Sequence, residues 1–217
     1  MERATQVGNF ARLKSEREKM VRCPLCGKLL LSVLTLHDKE AQNHFAKHFQ
    51  NWDPNLVDWK KVSVELARYC NRFFDVWWDP DQFDWRNASW TLATYVYEEF
   101  PKWWDPEQFN WEDASFHLTG FCSEYFDIWW DPDEYNWQKA SASLPRCCSE
   151  YFSTWWDPGK FDWEDGSCAL ATYCPHYFRV WWNPEKFNPH HAWALRLYCQ
   201  DYKNEWSKVV KLWSILI

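Results

Sequence analysis

Trp104-Asp105-Pro106-Glu107-Gln108-Phe109-Asn110-Trp111-Glu112-Asp113-Ala114-Ser115 opens a unit that the chain repeats every 26 residues, and its reading decides the fold. Asp105 before Pro106 matches a helix N-cap followed by proline at the first helical position, where an N–H would have no partner anyway. A short helical turn from Pro106 to Phe109 follows, and Asn110 offers a second N-cap. Glu112 and Asp113 then fall in a first turn, where the helix dipole favours negative charge. From Trp111 the apolar and small residues come at Trp111, Ala114, Ser115, Leu118, Phe121, Cys122, Tyr125, Phe126 and Trp129. These offsets trace one face of an α-helix. The spacing predicts one helix of about 17 residues, roughly 25 Å long, stopped by Asp131-Pro132.

Outward from this unit the register is rigid. Trp52, Trp78, Trp104, Trp130, Trp156 and Trp182 are each followed by Asp-Pro, or by Asn183-Pro184 in the last copy. The preceding residue is also Trp in five copies, whereas the first has Asn51. Trp59, Trp85, Trp111, Trp137 and Trp163 stand seven residues further on. A fixed period of this size specifies a repeat architecture. One such helix cannot bury its aromatic face alone, so neighbours must stack. The expected fold class is therefore all-α: a right- or left-handed α-solenoid of 26-residue helical repeats over residues 51–188. With about 9–10 Å between axes, six units span some 50–60 Å.

Because the tryptophans recur in every unit, they read as core rather than as a platform for one ligand. Adjacent helical residues face different ways, which leaves one Trp of each pair free to line a groove. The positions after each proline (Asn55-Leu56, Asp81-Gln82, Glu107-Gln108, Asp133-Glu134, Gly159-Lys160, Glu185-Lys186) are mostly polar and vary in charge. They read as an exposed rim and a surface for partner specificity. Residues 189–217 form a capping segment in which Pro189 replaces the expected Trp. The register slips by one there, so that Leu195 and Tyr198 stand for Leu170 and Tyr173. Its apolar stripe, Trp206, Val209, Val210, Trp213, Leu216 and Ile217, either closes the last unit or makes an assembly contact.

Composition supports a folded, exposed array. The chain has 20 Trp but only 5 Gly, the reverse of a disordered bias, and a mean hydropathy of -0.65 fits a one-dimensional stack. The net charge of -7 is unevenly spread: residues 1–50 carry nine Lys/Arg against five Asp/Glu, and residues 51–188 carry 11 against 24. An acidic array repels phosphates and suits a basic partner, or imitates a nucleic acid. No stretch approaches the roughly 18–20 apolar residues of a membrane span. The start lacks the apolar core of a signal peptide. With nine Cys, this points to a reducing, intracellular and cytoplasmic setting in which thiols are core residues or metal ligands.

The sharpest chemical motif lies in residues 21–50. Cys23-Pro24-Leu25-Cys26-Gly27 is a tight turn that lets two thiolates reach one ion, and His44 and His48 lie four apart on one helix face. Together Cys23, Cys26, His44 and His48 offer two sulfurs and two nitrogens, the donor set of a structural Zn(2+) site. His37 is an alternative nitrogen ligand. This Cys-x2-Cys-x17-His-x3-His pattern resembles the C2H2-type zinc finger over residues 21–49, with a longer gap than that family uses. The resemblance implies a zinc staple with all four ligand positions filled. Ahead of it, residues 1–20 carry Arg12, Lys14, Arg17 and Lys19 interleaved with Glu16 and Glu18. That arm reads either as a phosphate contact, with Arg22 beside it, or as a solvated helix.

Catalysis finds no motif. His117, His176, His190 and His191 are the histidines outside the finger, and neither His117 nor His176 stands in a partner motif that would make a general acid or base. Cys70, Cys122, Cys148 and Cys174 recur at one helical position suited to a small soft core residue. The expectation is a non-enzymatic, zinc-binding repeat scaffold for a protein partner, with a basic or nucleic-acid-binding one suited to its acidic surface. The alternative is nucleic-acid related: binding through residues 1–50, or acidic mimicry by the array.

Overall fold

The computed structural model describes residues 20–23, 25–27, 29–31 and 39–216. The basic arm over 1–19 and His37 lie outside the described residues. The chain groups into two compact units, Met1–Val96 and Tyr97–Ile217. The first holds an antiparallel hairpin of β1 (Met20–Arg22) and β2 (Leu29–Leu31), with Met20 opposite Leu31. Helices α1 (Lys39–Phe49), α2 (Trp59–Tyr69), α3 (Phe74–Trp77) and α4 (Trp85–Tyr95) follow. The second unit holds α5 (Phe100–Trp103), α6 (Trp111–Phe121), α7 (Phe126–Trp129), α8 (Trp137–Ala140) and α9 (Ser143–Cys147). It continues with α10 (Phe152–Trp155), α11 (Trp163–Tyr173), α12 (Phe178–Trp181), α13 (Ala192–Tyr198) and α14 (Lys203–Leu216). The repeats are helical throughout, as their period requires. The hairpin is an addition that the helical pattern does not announce.

The single 17-residue helix expected per unit is instead a pair. After α6, Cys122 leaves the helical region (φ -115, ψ 25), Ser123–Tyr125 form a 3-10 turn, and α7 follows. The break has a partner built into it. The indole Nε1 of Trp129 donates to the Cys122 carbonyl at 2.8 Å, and the Tyr125 amide donates to it at 3.0 Å. A carbonyl drawn to both groups cannot continue the helical ladder. The same indole bond joins Trp77 to Cys70, Trp155 to Cys148, Trp181 to Cys174 and Trp206 to Cys199, at 2.7–2.8 Å. Trp77, Trp129, Trp155 and Trp181, the first members of their Trp pairs, and the lone Trp206 are buried, as the core reading requires.

The other tryptophans close the loop at the start of each repeat. Trp59, Trp85, Trp111, Trp137 and Trp163 donate their indoles to the carbonyls of Pro54, Pro80, Pro106, Pro132 and Pro158 at 2.9–3.1 Å. The second member of each pair is half-buried and wedged between rings: Trp130 stacks on Phe126 (5.1 Å between centroids) and meets Trp137 edge-on at 5.5 Å. The capping predictions hold. Asp105 accepts from the Glu107 amide at 3.0 Å, and Asn110 accepts from the Asp113 amide at 3.3 Å. Asn183 does the same work as the aspartates, accepting from the Glu185 amide at 3.0 Å, because an amide oxygen serves as well as a carboxylate there.

Within each unit, neighbouring repeats are tied by hydrogen bonds and ring stacks. The hydroxyl of Ser115, buried in α6, accepts the Asn136 amide at 3.1 Å, and Ser63, Ser141 and Ser167 receive Asp84, Asp162 and Asn188 likewise. Serine at this spacing therefore hands the first amide of the next helix a partner. At the other end of the pair, Tyr125, Tyr151, Tyr177 and Tyr202 stack nearly parallel on Phe100, Phe126, Phe152 and Phe178, with centroids 4.2–4.6 Å apart.

One repeat departs from the rule. Pro145 removes an amide from the repeat's main helix and splits it into α8 and α9. The Leu144 amide then bonds to Ser141, which leaves the Ala140 carbonyl without its usual helical donor. Tyr135, standing where the other repeats carry Phe83, Phe109, Phe161 and Phe187, donates its buried hydroxyl to that carbonyl at 2.9 Å. The Ser143 hydroxyl donates to the same carbonyl at 2.6 Å, so Tyr135 and Ser143 together replace the withdrawn donor. Tyr135→Phe is expected to cost about 1–2 kcal/mol, although Phe serves elsewhere. In a Pro145→Ala background the cost should fall but not vanish, because Tyr135 also bonds to the Thr119 hydroxyl at 2.9 Å, and a double-mutant cycle in urea checks this coupling.

The array ends as a cap. The one-residue slip is absorbed by a 3-10 turn at Pro189–His191 before α13. Trp206 and Val210 are buried, and Trp213 stacks on Phe187 at 6.1 Å with the rings 5° apart. Trp206, Val210 and Trp213 of the C-terminal stripe thus close the last repeat; Ile217 lies outside the described residues. The rim positions after each proline are exposed, as expected. Among the described residues no helix is long and apolar enough to cross a membrane.

Burial governs the thiols. Desolvation pushes Cys174 and Cys199 up to about 12, and raises Cys70, Cys122 and Cys148 as well. An unfolded chain loses these protons above pH ~8.5, while the folded chain keeps them. Stability is therefore full below that value and falls as pH rises toward 12, by up to about 1.4 kcal/mol per pH unit for each buried thiol. Val96 occupies the same repeat position, so Cys122→Val with Cys148→Val should fold and should flatten the decline. Melting temperatures between pH 8 and 10.5 check it.

Candidate metal centre

The four residues singled out by spacing come together. Gly27 closes the Cys-x-x-Cys turn: its amide donates to the Cys23 carbonyl at 2.8 Å, and its φ of +71° suits a residue without a side chain. The turn sits between β1 and β2. Helix α1 then presents His44 and His48 one turn apart, with ring centroids 4.8 Å from each other. The ligand atoms of Cys23, Cys26, His44 and His48 all lie within 4.8 Å of one another.

Two separations are informative. His44 Nε2 lies 3.2 Å from His48 Nε2 and 3.4 Å from Cys26 Sγ. A tetrahedral ion with bonds of about 2.0–2.1 Å to nitrogen and 2.3 Å to sulfur sets its ligands about 3.3 and 3.5 Å apart along those edges. Two imidazole nitrogens facing each other this closely have one proton at most to share, and an ion between them removes the conflict. Burial raises the Cys23 thiol, an effect that a bound cation reverses by taking up the thiolate charge. The group can hold a metal ion. His37, the alternative ligand, lies outside the described residues.

The same helix joins the group to the array. Phe45 and Phe49 of α1 are buried. Phe49 packs on Phe73 at 4.9 Å and on Trp52 at 5.2 Å, the contacts that Phe126 makes with Tyr151 and Trp130 one repeat apart. The last turn of α1 thus stands in for the short helix of a preceding repeat. This accounts for Asn51 where the other copies carry a second Trp. Sequence reasoning missed it, because Phe49 is one residue out of the 26-residue register.

Among the described residues the other histidines do not join a metal-ligating group. His117 lies on α6 beside Phe116 and Phe121, and burial lowers its pKa. His190 and His191 belong to the 3-10 turn before α13. The fold and the site together define a tryptophan-rich tandem helical-repeat chain with an N-terminal Cys2His2 group. No protein-family model, curated protein or solved structure matches it.

Proposed function

We propose that this chain is a non-enzymatic scaffold: an acidic helical-repeat array, closed at its N-terminal end by a zinc-bound Cys2His2 segment, that binds another protein in a reducing compartment. One observation carries the reading. The recurring first Trp of each pair and the recurring Phe of each short helix are buried, while the two positions after each proline, which differ between repeats, are exposed. Such a frame offers a varied surface on a uniform interior, the arrangement by which repeat proteins bind partners.

Zinc is the proposed ion because two thiolates and two imidazoles in a tetrahedral spacing suit a borderline-soft d10 cation. Four protein ligands leave no open position for a substrate, so the ion serves as a staple. Asp79, Asp105, Asp131 and Asp157 form a row in sequence but accept amides of their own loops at 2.8–3.1 Å. Carboxylates spent in this way favour a protein scaffold over a nucleic-acid mimic.

The test is a titration of labelled duplex DNA, hairpin RNA and single strands with the zinc-loaded chain at low salt. The scaffold reading expects no binding at micromolar protein. Tight, salt-sensitive binding that is lost in Cys23→Ser would overturn it and make the zinc segment the working part.

A further inference from the structure

The second unit carries a face whose aromatic side chains the repeat architecture does not use. Its main helices α6, α8 with α9, α11 and α13 pack in sequence and run in parallel. Asn136 at the start of α8 bonds to Ser115 near the start of α6, and Cys199 at the end of α13 points its thiol at Ala171 near the end of α11. On α6 the buried residues are Trp111, Ala114, Ser115, Leu118 and Thr119. The opposite side therefore looks outward in every repeat.

That outward side is aromatic at both ends. Phe116 and Phe121 on α6 are 50% and 44% exposed, and Tyr173 on α11 is 46% exposed. Trp193, Leu197 and Tyr198 on α13 are 48%, 63% and 46% exposed. Between them the equivalent positions hold Ala142, Cys147, Cys168 and Thr172, with exposed Arg146 at the position of Thr172, so mostly small side chains lie between two bulky ridges. Core positions stay apolar or small from repeat to repeat, whereas these change between bulky aromatic and small. Large half-exposed aromatics on a rigid frame are the residues that anchor partners.

The border of this face is acidic. Glu124, Glu150 and Asp201 stand in the 3-10 turns just past the helix ends, and Glu112, Asp113, Glu164 and Asp165 stand at the helix starts. The cation Lys139 is engaged by Asp113 at 3.0 Å and by Glu112 at 3.7 Å, and Arg146 on α9 and Arg196 on α13 are further basic side chains here.

Resting on the scaffold reading, we infer that this face docks a partner-protein segment carrying lysine or arginine beside large apolar side chains. The apolar groups seat between the aromatic ridges and the cations reach the acidic borders. A second copy of the chain is disfavoured, because a two-fold contact would set carboxylate row against carboxylate row. Nucleic acid and anionic lipid meet the same repulsion.

The experiment uses the full zinc-loaded chain and a labelled amphipathic peptide of alternating Lys and Leu/Phe faces, with a Glu-for-Lys counterpart. Fluorescence anisotropy should show binding of the basic peptide, weakening with salt, and none of the acidic one. Phe121→Lys with Tyr173→Lys should weaken binding at least about tenfold. Val180→Lys, an exposed control on α12, should leave it unchanged. Absence of binding, or equal binding by the double variant, overturns the inference, as does a wild-type dimer that the double variant abolishes. The two readings fail separately. If a protein captured from the host is retained equally by the double variant, this face is wrong and the scaffold stands. If the native chain captures no protein, the scaffold itself falls.

Discussion

Trp129→Ala should destabilise the second unit by about 3–5 kcal/mol, the largest single-residue effect in the repeats. Trp129 is 1% exposed and makes three kinds of contact at once. Its ring meets Phe126 and Trp130 edge-on at 5.0 and 5.9 Å and stacks on Tyr135 at 6.3 Å. Its indole holds the Cys122 carbonyl at the bend between α6 and α7. Truncation opens a cavity that α7, only four residues long, cannot close without moving the bend. A domain has about 5–15 kcal/mol of stability in all, so much of the reserve disappears. Trp130→Ala, in a half-buried position without that indole bond to the bend, should cost distinctly less. Urea unfolding followed by far-ultraviolet dichroism compares the two, and equal costs would refute the assigned roles.

Removing the metal should have the second large effect, confined to the first unit. The described residues between 20 and 49 form two strands of three residues and one helix, with Phe45 and Phe49 as buried apolar anchors beside Cys23. So small a segment does not bury enough surface to fold unaided. In zinc-finger peptides the metal contributes an apparent 10–16 kcal/mol, about all of the folding free energy. Chelation should therefore leave Cys23 and Cys26 open to alkylation and strip amide protection from α1. It should also loosen the Phe49–Phe73 stack, while Cys122, Cys148, Cys174 and Cys199 stay unlabelled. Cys23→Ser should reproduce this with metal present. One zinc per chain, and the visible bands of a tetrahedral thiolate site on cobalt substitution, are the companion results.

Much of this was legible in the sequence. The period, the caps at Asp105 and Asn110, the exposed rim, the slipped last register and the metal quartet all follow from residue type and spacing. The bend at Cys122 does not. Offsets 10 to 18 from Trp111 suit a straight helix and a folded-back pair equally, since both bury Phe126 and Trp129. What decides between them is an indole reaching a carbonyl seven residues earlier, a tertiary contact without a local signal. Ser115 was recognisable as a small helical-face residue but not as the acceptor for the next repeat's amide. Strands of three residues around a Cys-x-x-Cys turn are too short for alternation to reveal.

Affinity capture from the native host, at low and moderate salt and with nuclease, tests the scaffold claim most directly. The account predicts a protein partner that survives nuclease treatment and is retained by a chain whose zinc segment is intact. Recovery of nucleic acid alone, lost when Cys23 or His44 is replaced, would contradict it.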